Sequence, residues 1–462
     1  MSELPRRGKE RGSDQEMEGL PIVQRNVAGM DVGSTEHWVC APTVGGEGRE
    51  VETFGATTPE LQRLAAWLRE RKVESVAMES TGVYWIAAHE VLEEQGLKVV
   101  LVNTRELARV PGRKKTDRVD CMWIQRLHSC GLLHGSFRPE EQVCKLRTLV
   151  RDKGNLVAER GDWVRRMQKS LDQMNVRVHR AVADLEGVTG MAMIRAIVKG
   201  ERDAAQLAKL RDPRCQKSAE EIAVQLSGHW REDHRFSLAQ ALKMHDAIQE
   251  RIQDYGREIL RQLAEMEREE SQGQPAPRLK PQKARVIKHR GEEPLRQALY
   301  RMSGVDLTGM DALGVETAQV FLSEYGPDLS CFPTEKEFIS HLTLAPHRPT
   351  RAGKPLKKKR RGSASTRVAA ALRMAALTLR HSPTALGAYF RQIARRLGPE
   401  VAVFATARKL ATLIFRLLRW GQPYVDEGAA AYENRYQQAR LTRLTAVARN
   451  LGYELTKTTA QV

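Results

Sequence analysis

Short apolar-rich runs set off by Gly-rich and polar clusters between Asn26 and Phe54 predict three strands: Asn26–Asp31, His37–Ala41 and Arg49–Phe54. Gly33-Ser34-Thr35-Glu36 and the Gly45-Gly46-Glu47-Gly48 cluster are the turns between them. A helical period follows. Thr58 caps it, Pro59 takes its first position, and Leu61, Leu64, Ala65 and Leu68 share one face. Val73–Met78 reads as a short apolar strand ending at Glu79. A helix follows Ser80-Thr81-Gly82, runs to about Gln95 and stops at Gly96, after which Val99–Val102 is another strand. Thr116 is a good N-cap, and Val119, Trp123, Ile124 and Leu127 continue an apolar stripe behind it, so a further helix starts there. Residues 1 to about 22 show no periodicity and are expected to form a disordered basic arm.

From about Leu146 the pattern is helical throughout. Val157, Val164, Met167, Leu171 and Met174 mark one long helix, and Ile248, Ile252, Tyr255, Ile259, Leu263 and Met266 mark another. Together they predict an antiparallel helical hairpin that serves dimerisation or positioning, with an irregular helical insert over residues 180–235. Gly273, Pro275, Pro277 and Pro281 among many charges read as a linker over residues 271–294. A compact helical module follows. In it, Ala312-Leu313-Gly314-Val315-Glu316-Thr317-Ala318 is similar to the turn of a helix-hairpin-helix motif, with Ala312 where the first Gly usually stands. Thr366–Leu379 and Ala405–Trp420 are amphipathic helices. The second is expected to bury Ala407, Leu410, Ala411, Ile414 and Leu417 and to leave Arg408, Arg416 and Arg419 as a basic face. The last forty or so residues look helical and polar. The expected division is an arm (1–22), an α/β domain (23–140), a helical coiled-coil region with insert (141–270), the linker, a helical C-terminal domain (295–425) and a helical tail (426–462).

Charge sharpens this picture. Lys and Arg number 75 against 57 for Asp and Glu, a net +18 with a pI near 9.8, which points to a polyanionic partner and most simply to nucleic acid. Aromatic residues are only 5% of the chain, which argues against a single-strand reader built on stacking platforms. The run Lys357-Lys358-Lys359-Arg360-Arg361, with Lys354 just before it, falls in a short Gly/Pro-bounded stretch suited to phosphate. The six cysteines show no metal-binding spacing and read as reduced core residues of a cytoplasmic protein. No stretch reaches the length of a membrane span.

Three meandering strands, then helix, strand, helix, strand and helix, is the order of an RNase H-like domain. That fold sets the first and fourth strands side by side. Asp31 ends the first and Glu79 ends the fourth, while Asp117 and Asp120, three apart, share a face in the first turn of the next helix. Four carboxylates separated by about ninety positions can thus meet at one sheet edge. Acids in a first helical turn also complement the helix dipole, so the topology decides between the two readings. A cluster of this kind suits one or two hard divalent ions, Mg²⁺ or Mn²⁺, with Lys114, Lys115 and Arg118 free to face phosphate.

Several blocks taken in order resemble the DEDD transposases of the insertion-sequence one-ten family, some of whose members are described as bridge-RNA-guided recombinases. The blocks are Gly29-Met30-Asp31-Val32-Gly33, Met78-Glu79-Ser80-Thr81-Gly82, Lys115-Thr116-Asp117-Arg118-Val119-Asp120, Gly304-Val305-Asp306, Ala371-Leu372-Arg373-Met374-Ala375-Ala376 and Ala405-Thr406-Ala407-Arg408-Lys409-Leu410-Ala411. The resemblance implies a RuvC-like N-terminal domain, a coiled-coil middle and a C-terminal transposase domain. It also implies element-end and target DNA as partners, a structured guide RNA in some members, and a dimer or tetramer. Asp31, Glu79, Asp117 and Asp120 match the four acids residue by residue. The family's C-terminal domain supplies a serine nucleophile that forms a covalent phosphoserine intermediate. Here the matching text is Pro349-Thr350-Arg351-Ala352-Gly353-Lys354, which puts Arg351 at the serine position and Thr350 beside it. A hydroxyl at Thr350 is chemically sufficient. Ser363 and Ser365 lie downstream, and loss of the nucleophile is the remaining option. The expectation is a transposase or recombinase that cuts and rejoins DNA. Its rivals are a structure-specific endonuclease using metal-activated water and a catalytically silent nucleic-acid binder.

Overall fold

The computed structural model describes residues 21–45, 48–80, 82–103, 116–346, 350–351, 354–355 and 366–456. They fall into two compact units that divide between Arg138 and Pro139.

The first unit contains β1 (Val27–Val32), β2 (Glu36–Pro42), β3 (Arg49–Gly55), α1 (Thr58–Glu70), β4 (Ser75–Glu79), α2 (Trp85–Glu94), β5 (Lys98–Val102) and α3 (Asp117–Ser129). The sheet runs β3-β2-β1-β4-β5, with β1, β2 and β3 antiparallel and β4 and β5 parallel to β1. Short turns suffice for the antiparallel strands, whereas the parallel ones need α1 and α2 as crossovers. Alternation then sorts the two faces. Ala28, Met30, Val32, Val76 and Met78 pack with Leu61, Leu64, Leu68 and Leu92 of α1 and α2. Ala77 and Val102 pack on Trp123, Ile124 and Leu127 of α3. The α1 cap is Thr57, in extended conformation with ψ 151°, so Thr58 is the first helical residue, one place earlier than expected.

The second unit is helical. Glu141–Gln173 (α4) is followed by α5 (Val178–Ala181), α6 (Val188–Lys199), α7 (Ala204–Lys209), α8 (Ala219–Leu226) and α9 (Glu232–Glu265). Arg160 of α4 donates to Gln249 of α9 at 2.6 Å, and the His229 N–H donates to the Met174 carbonyl at 2.7 Å, so the two long helices run antiparallel. Met167, Leu171 and Met174 are buried with Ile194, Ile222 and Leu238, which consumes that half of the predicted stripe within the chain. The stretch expected as a linker is irregular over residues 274–280, after a 3₁₀ turn at Glu269–Ser271, but then carries the helix α10 (Pro281–His289). Pro281 in the first turn starts that helix rather than breaking the chain, and Ile287 anchors it in the core.

Next come α11 (Glu293–Ser303), α12 (Val315–Tyr325), α13 (Glu335–His341), the two-residue strands β6 (Thr350–Arg351) and β7 (Lys354–Pro355), α14 (Arg367–Thr378), α15 (Ala385–Leu397), α16 (Pro399–Trp420) and α17 (Gly428–Asn450). Two details of α16 depart from the sequence reading. Phe415 rather than Leu417 belongs to its buried face, and Arg416 is held by the Glu335 carboxylate at 2.7 and 3.1 Å instead of standing on a free basic face. Among the cysteines, Cys40, Cys121 and Cys130 are buried as expected, but Cys331 is exposed. No helix of the described residues is long and apolar enough to cross a membrane.

Candidate functional site

Sheet register does most of the positioning. In the β1–β4 pairing Gly29 faces Ala77 and Met30 faces Met78, so the next rung sets Asp31 beside Glu79. By the alternation that puts Met30 in the α1/α2 core, Gly29 and Asp31 point to the α3 face. Gly29 is what lets that helix come close: a Cβ there would fall inside the backbone of Cys121 and Gln125. The Gln125 amide donates to the Val27 carbonyl at 3.2 Å, and Ser75 and His128 share a buried hydrogen bond of 2.9 Å, so α3 is bound to β1 and β4 along its length. Thr116 caps α3 by accepting from the Val119 N–H at 3.4 Å. That cap brings Asp117 and Asp120 into the first turn, Asp117 exposed and Asp120 buried. Just after Glu79, Ser80 donates to the Val102 carbonyl through both its N–H and its hydroxyl, at 3.1 Å each, which fixes the chain as it leaves β4.

The charge of the neighbouring acids bears on Asp31. Burial pushes the Asp31 carboxyl up to about 6, and the charges of Glu79, Asp120 and Asp117 push in the same direction, against one backbone N–H at Val32. The neighbouring Cys121 thiol is raised to about 12, chiefly by burial, with Cys40 and Asp31 adding to it. As placed, no three His, Cys, Asp or Glu side chains among the described residues are gathered closely enough to hold an ion. The donor set nevertheless fits a hard divalent cation. It is all oxygen, and a cation's charge would offset what burial and three like charges impose on Asp31.

Of the cations expected around this cluster, Arg118 is exposed in the first turn of α3, while Lys114 and Lys115 lie outside the described residues. In the second unit, Thr350 and Arg351 pair with Pro355 and Lys354 as a minimal antiparallel hairpin. The side chains of Thr350, Arg351 and Lys354, together with Lys357, Lys358, Lys359, Arg360, Arg361, Ser363 and Ser365, lie outside the described residues.

The hairpin-like turn before α12 keeps its shape without the usual first glycine. Ala312 adopts φ +69°, Leu313 is buried, and Gly314 is the N-cap of α12. Lys283 braces the turn by donating to the Met310 carbonyl at 2.6 Å, and Tyr424 donates to Asp311 at 2.8 Å. Sequence reasoning did not single out Lys283, Asp311 or Tyr424. They lie up to 113 positions apart in the polar pair alone, and nothing in their spacing announces that they meet.

A family model for the DEDD transposases of the insertion-sequence one-ten family, described as a transposase, matches residues 28–176. The matched stretch contains all four acids and α4 and stops well short of Thr350. No curated protein matches the chain.

Proposed function

We propose, from the premise that residues 28–176 form a transposase domain of the DEDD family, that this chain is an insertion-sequence transposase or recombinase that cuts and rejoins DNA strands. The observation that carries the reading is the register of β1 against β4, with Gly29 admitting α3, because it supports an arrangement in which Asp31, Glu79 and Asp120 share one sheet edge. The sheet order supports an RNase H-like, RuvC-like reading of the first unit. We take Asp31, Glu79, Asp117 and Asp120 as the residues that would hold Mg²⁺ or Mn²⁺. When bound, such an ion supplies Lewis-acid stabilisation of charge on the scissile phosphodiester.

The chain's own groups do the rest. Burial of Asp120 and the clamped exit of β4 fix where the carboxylates stand. Arg118, with Lys114 and Lys115, meets the backbone phosphates. The Thr350 hydroxyl is the proposed nucleophile: its oxygen bonds to phosphorus, one backbone P–O bond breaks, and the hydroxyl proton passes to the departing strand's oxygen. The +18 charge, with Arg351, Lys354 and the run Lys357–Arg361, supports binding to element-end and target DNA and to a structured RNA. The same reading includes a homo-oligomer in which the α4–α9 hairpin acts as a coiled-coil spacer, working in the cytoplasm.

The test is an incubation of the full chain with labelled element-end DNA and Mg²⁺, resolved under denaturing conditions beside Thr350→Ala, Asp117→Asn and Asp120→Asn. A protein–DNA adduct in the parent that all three variants lack establishes the recombinase and its nucleophile. Metal-dependent nicking with no adduct replaces it with a nuclease using water. Binding without either identifies a silent nucleic-acid binder.

A further inference from the structure

The composition argues against base stacking, yet three of the chain's nine tyrosines line a single cavity in the second unit. Tyr389 comes from α15, Tyr424 from the segment after α16, and Tyr432 from the second turn of α17; Lys409 and Arg416 of α16, Arg435 of α17 and the Glu427 carboxylate are the charged groups of the lining. The cavity measures about 360 Å³, inside the range of roughly 300–1,000 Å³ typical of small-ligand sites.

The rings are held as platforms. Tyr389 and Tyr432 stand nearly perpendicular, at 87°, with centroids 6.3 Å apart. The Tyr432 hydroxyl donates to Gln392 at 2.7 Å and the Tyr424 hydroxyl to Asp311 at 2.8 Å, which fixes both ring planes. All three rings are only half-buried. Asp426 accepts from the Ala385 N–H at 3.0 Å and from the Gly428 N–H at 3.1 Å, tying the segment that carries Tyr424 to the start of α15. The charge around the cavity is graded. Arg416 is engaged by Glu335 and Arg435 by Glu427, whereas Lys409 forms no ion pair among the described residues.

We propose that this cavity takes one unstacked nucleotide of a single-stranded nucleic acid, its base against the Tyr389 and Tyr432 rings and its phosphate at Lys409. Fixed aromatic faces beside an uncommitted ammonium match what a base joined to a phosphate offers, and stacking tolerates any base. The proposal rests on the nucleic-acid reading above and adds the place where a strand displaced from a duplex is held.

The experiment uses the full chain with a short oligothymidylate carrying one 5-iododeoxyuridine and, in a parallel arm, an oligouridylate carrying one 5-iodouridine. Irradiation is followed by mass-spectrometric mapping of the adducts, and affinity is measured with the same probes and with element-end duplex. Adducts are expected at Tyr389 or Tyr432. The double variant Tyr389→Leu/Tyr432→Leu should weaken single-strand binding about tenfold or more, the size of one lost stack, while the matching Phe variants keep it. Lys409→Gln should lower the salt slope by about one. The arm that crosslinks identifies DNA or RNA as the source. Adducts confined to other residues, or Leu variants that are folded by circular dichroism and bind as the parent does, overturn the site. Duplex binding with no single-strand binding overturns it while leaving the transposase reading intact. A parent that binds no nucleic acid overturns both.

Discussion

The two units handle buried charge in opposite ways. In the sheet unit, Asp31 is pushed up to about 6 by burial and by three neighbours of its own sign. In the helical unit, several buried charges meet a partner of opposite sign. Arg296 and Asp306 each keep 6% of their side-chain surface and join at 2.6 Å, and Arg147 and Arg151 converge on Glu324 at 3.3 and 2.7 Å. A pair with opposite signs and satisfied hydrogen bonds is explained by the architecture it fixes. A like-signed cluster is not, because folding gains nothing from it. The contrast therefore sets pairs whose opposite charges fix the architecture against an acid whose neighbours raise its pKa.

The largest effect should come from breaking a compensated pair. Asp306→Ala leaves the Arg296 guanidinium with only the more exposed Glu293 as an ionic partner and frees the Thr308 N–H and hydroxyl that Asp306 also accepts from, and should cost about 3–5 kcal/mol in urea unfolding. Asp120→Asn, at a site no more exposed, should stay within about 1 kcal/mol of the parent, since it removes a charge that Asp31 opposes. Equal losses in the two variants would erase the distinction. With Mg²⁺ added, the parent should gain thermal stability and Asp120→Asn should not, by mass action on the folded state.

Next in size is Gly29→Ala. The methyl has no room against the α3 backbone, so the helix must move away from β1, at about 2–4 kcal/mol by thermal melting. Because Asp120 rides on that helix, the variant should also weaken the Mg²⁺-dependent gain. A variant as stable as the parent would mean that register alone, without the close approach, places the acids.

How legible this was depended on range. Apolar runs between turn clusters, the Thr116 cap and the stripe behind it were local signals, and they sufficed for the order of strands and helices and for the start of α3. Gly29 could be quoted as part of a motif, but its reason is the backbone of a helix some ninety positions on, which periodicity does not encode. Pro281, read as part of a linker, starts α10, since Pro favours a first helical turn as readily as a break, whereas Pro275 and Pro277 do lie in an irregular stretch. Arg416 looked like an open basic face because Glu335, its partner, is 81 positions away. The tyrosine-lined cavity was hidden for the same reason, and low aromatic content argued against it when taken as an average.

Lys283 tests the comparison from inside the helical unit, because its ammonium is incompletely compensated. Burial pushes its ammonium down to about 8, although Asp311 and Asp306 pull upward; Lys280 and Arg296 push down as well. Below about pH 8 both folded and unfolded chains are protonated and the fold bears the burial cost in full. From there to about pH 10.4 the unfolded chain binds the extra proton, so this group's contribution to stability rises with pH. Relative to Lys283→Met, the parent should gain on the order of 2 kcal/mol across that window, allowing for partial exposure. A difference between parent and variant that stays flat with pH would show that the ammonium is solvated after all.

The smallest effect should appear at Ala312, where the family-like turn departs from glycine. An alanine at φ +69° is strained by about 1 kcal/mol, because its Cβ crowds the following carbonyl. Glycine relieves that strain but loosens the unfolded chain, which returns part of the gain. Ala312→Gly should therefore stabilise by roughly 0.5 kcal/mol in denaturant unfolding, opposite in sign to the usual Ala→Gly change in a helix. Destabilisation instead would mean that the turn does not hold φ +69° in solution. Lys283 and Asp311 would then be bracing a different backbone, and the polar pairs of the second unit would lose their claim to be purely architectural.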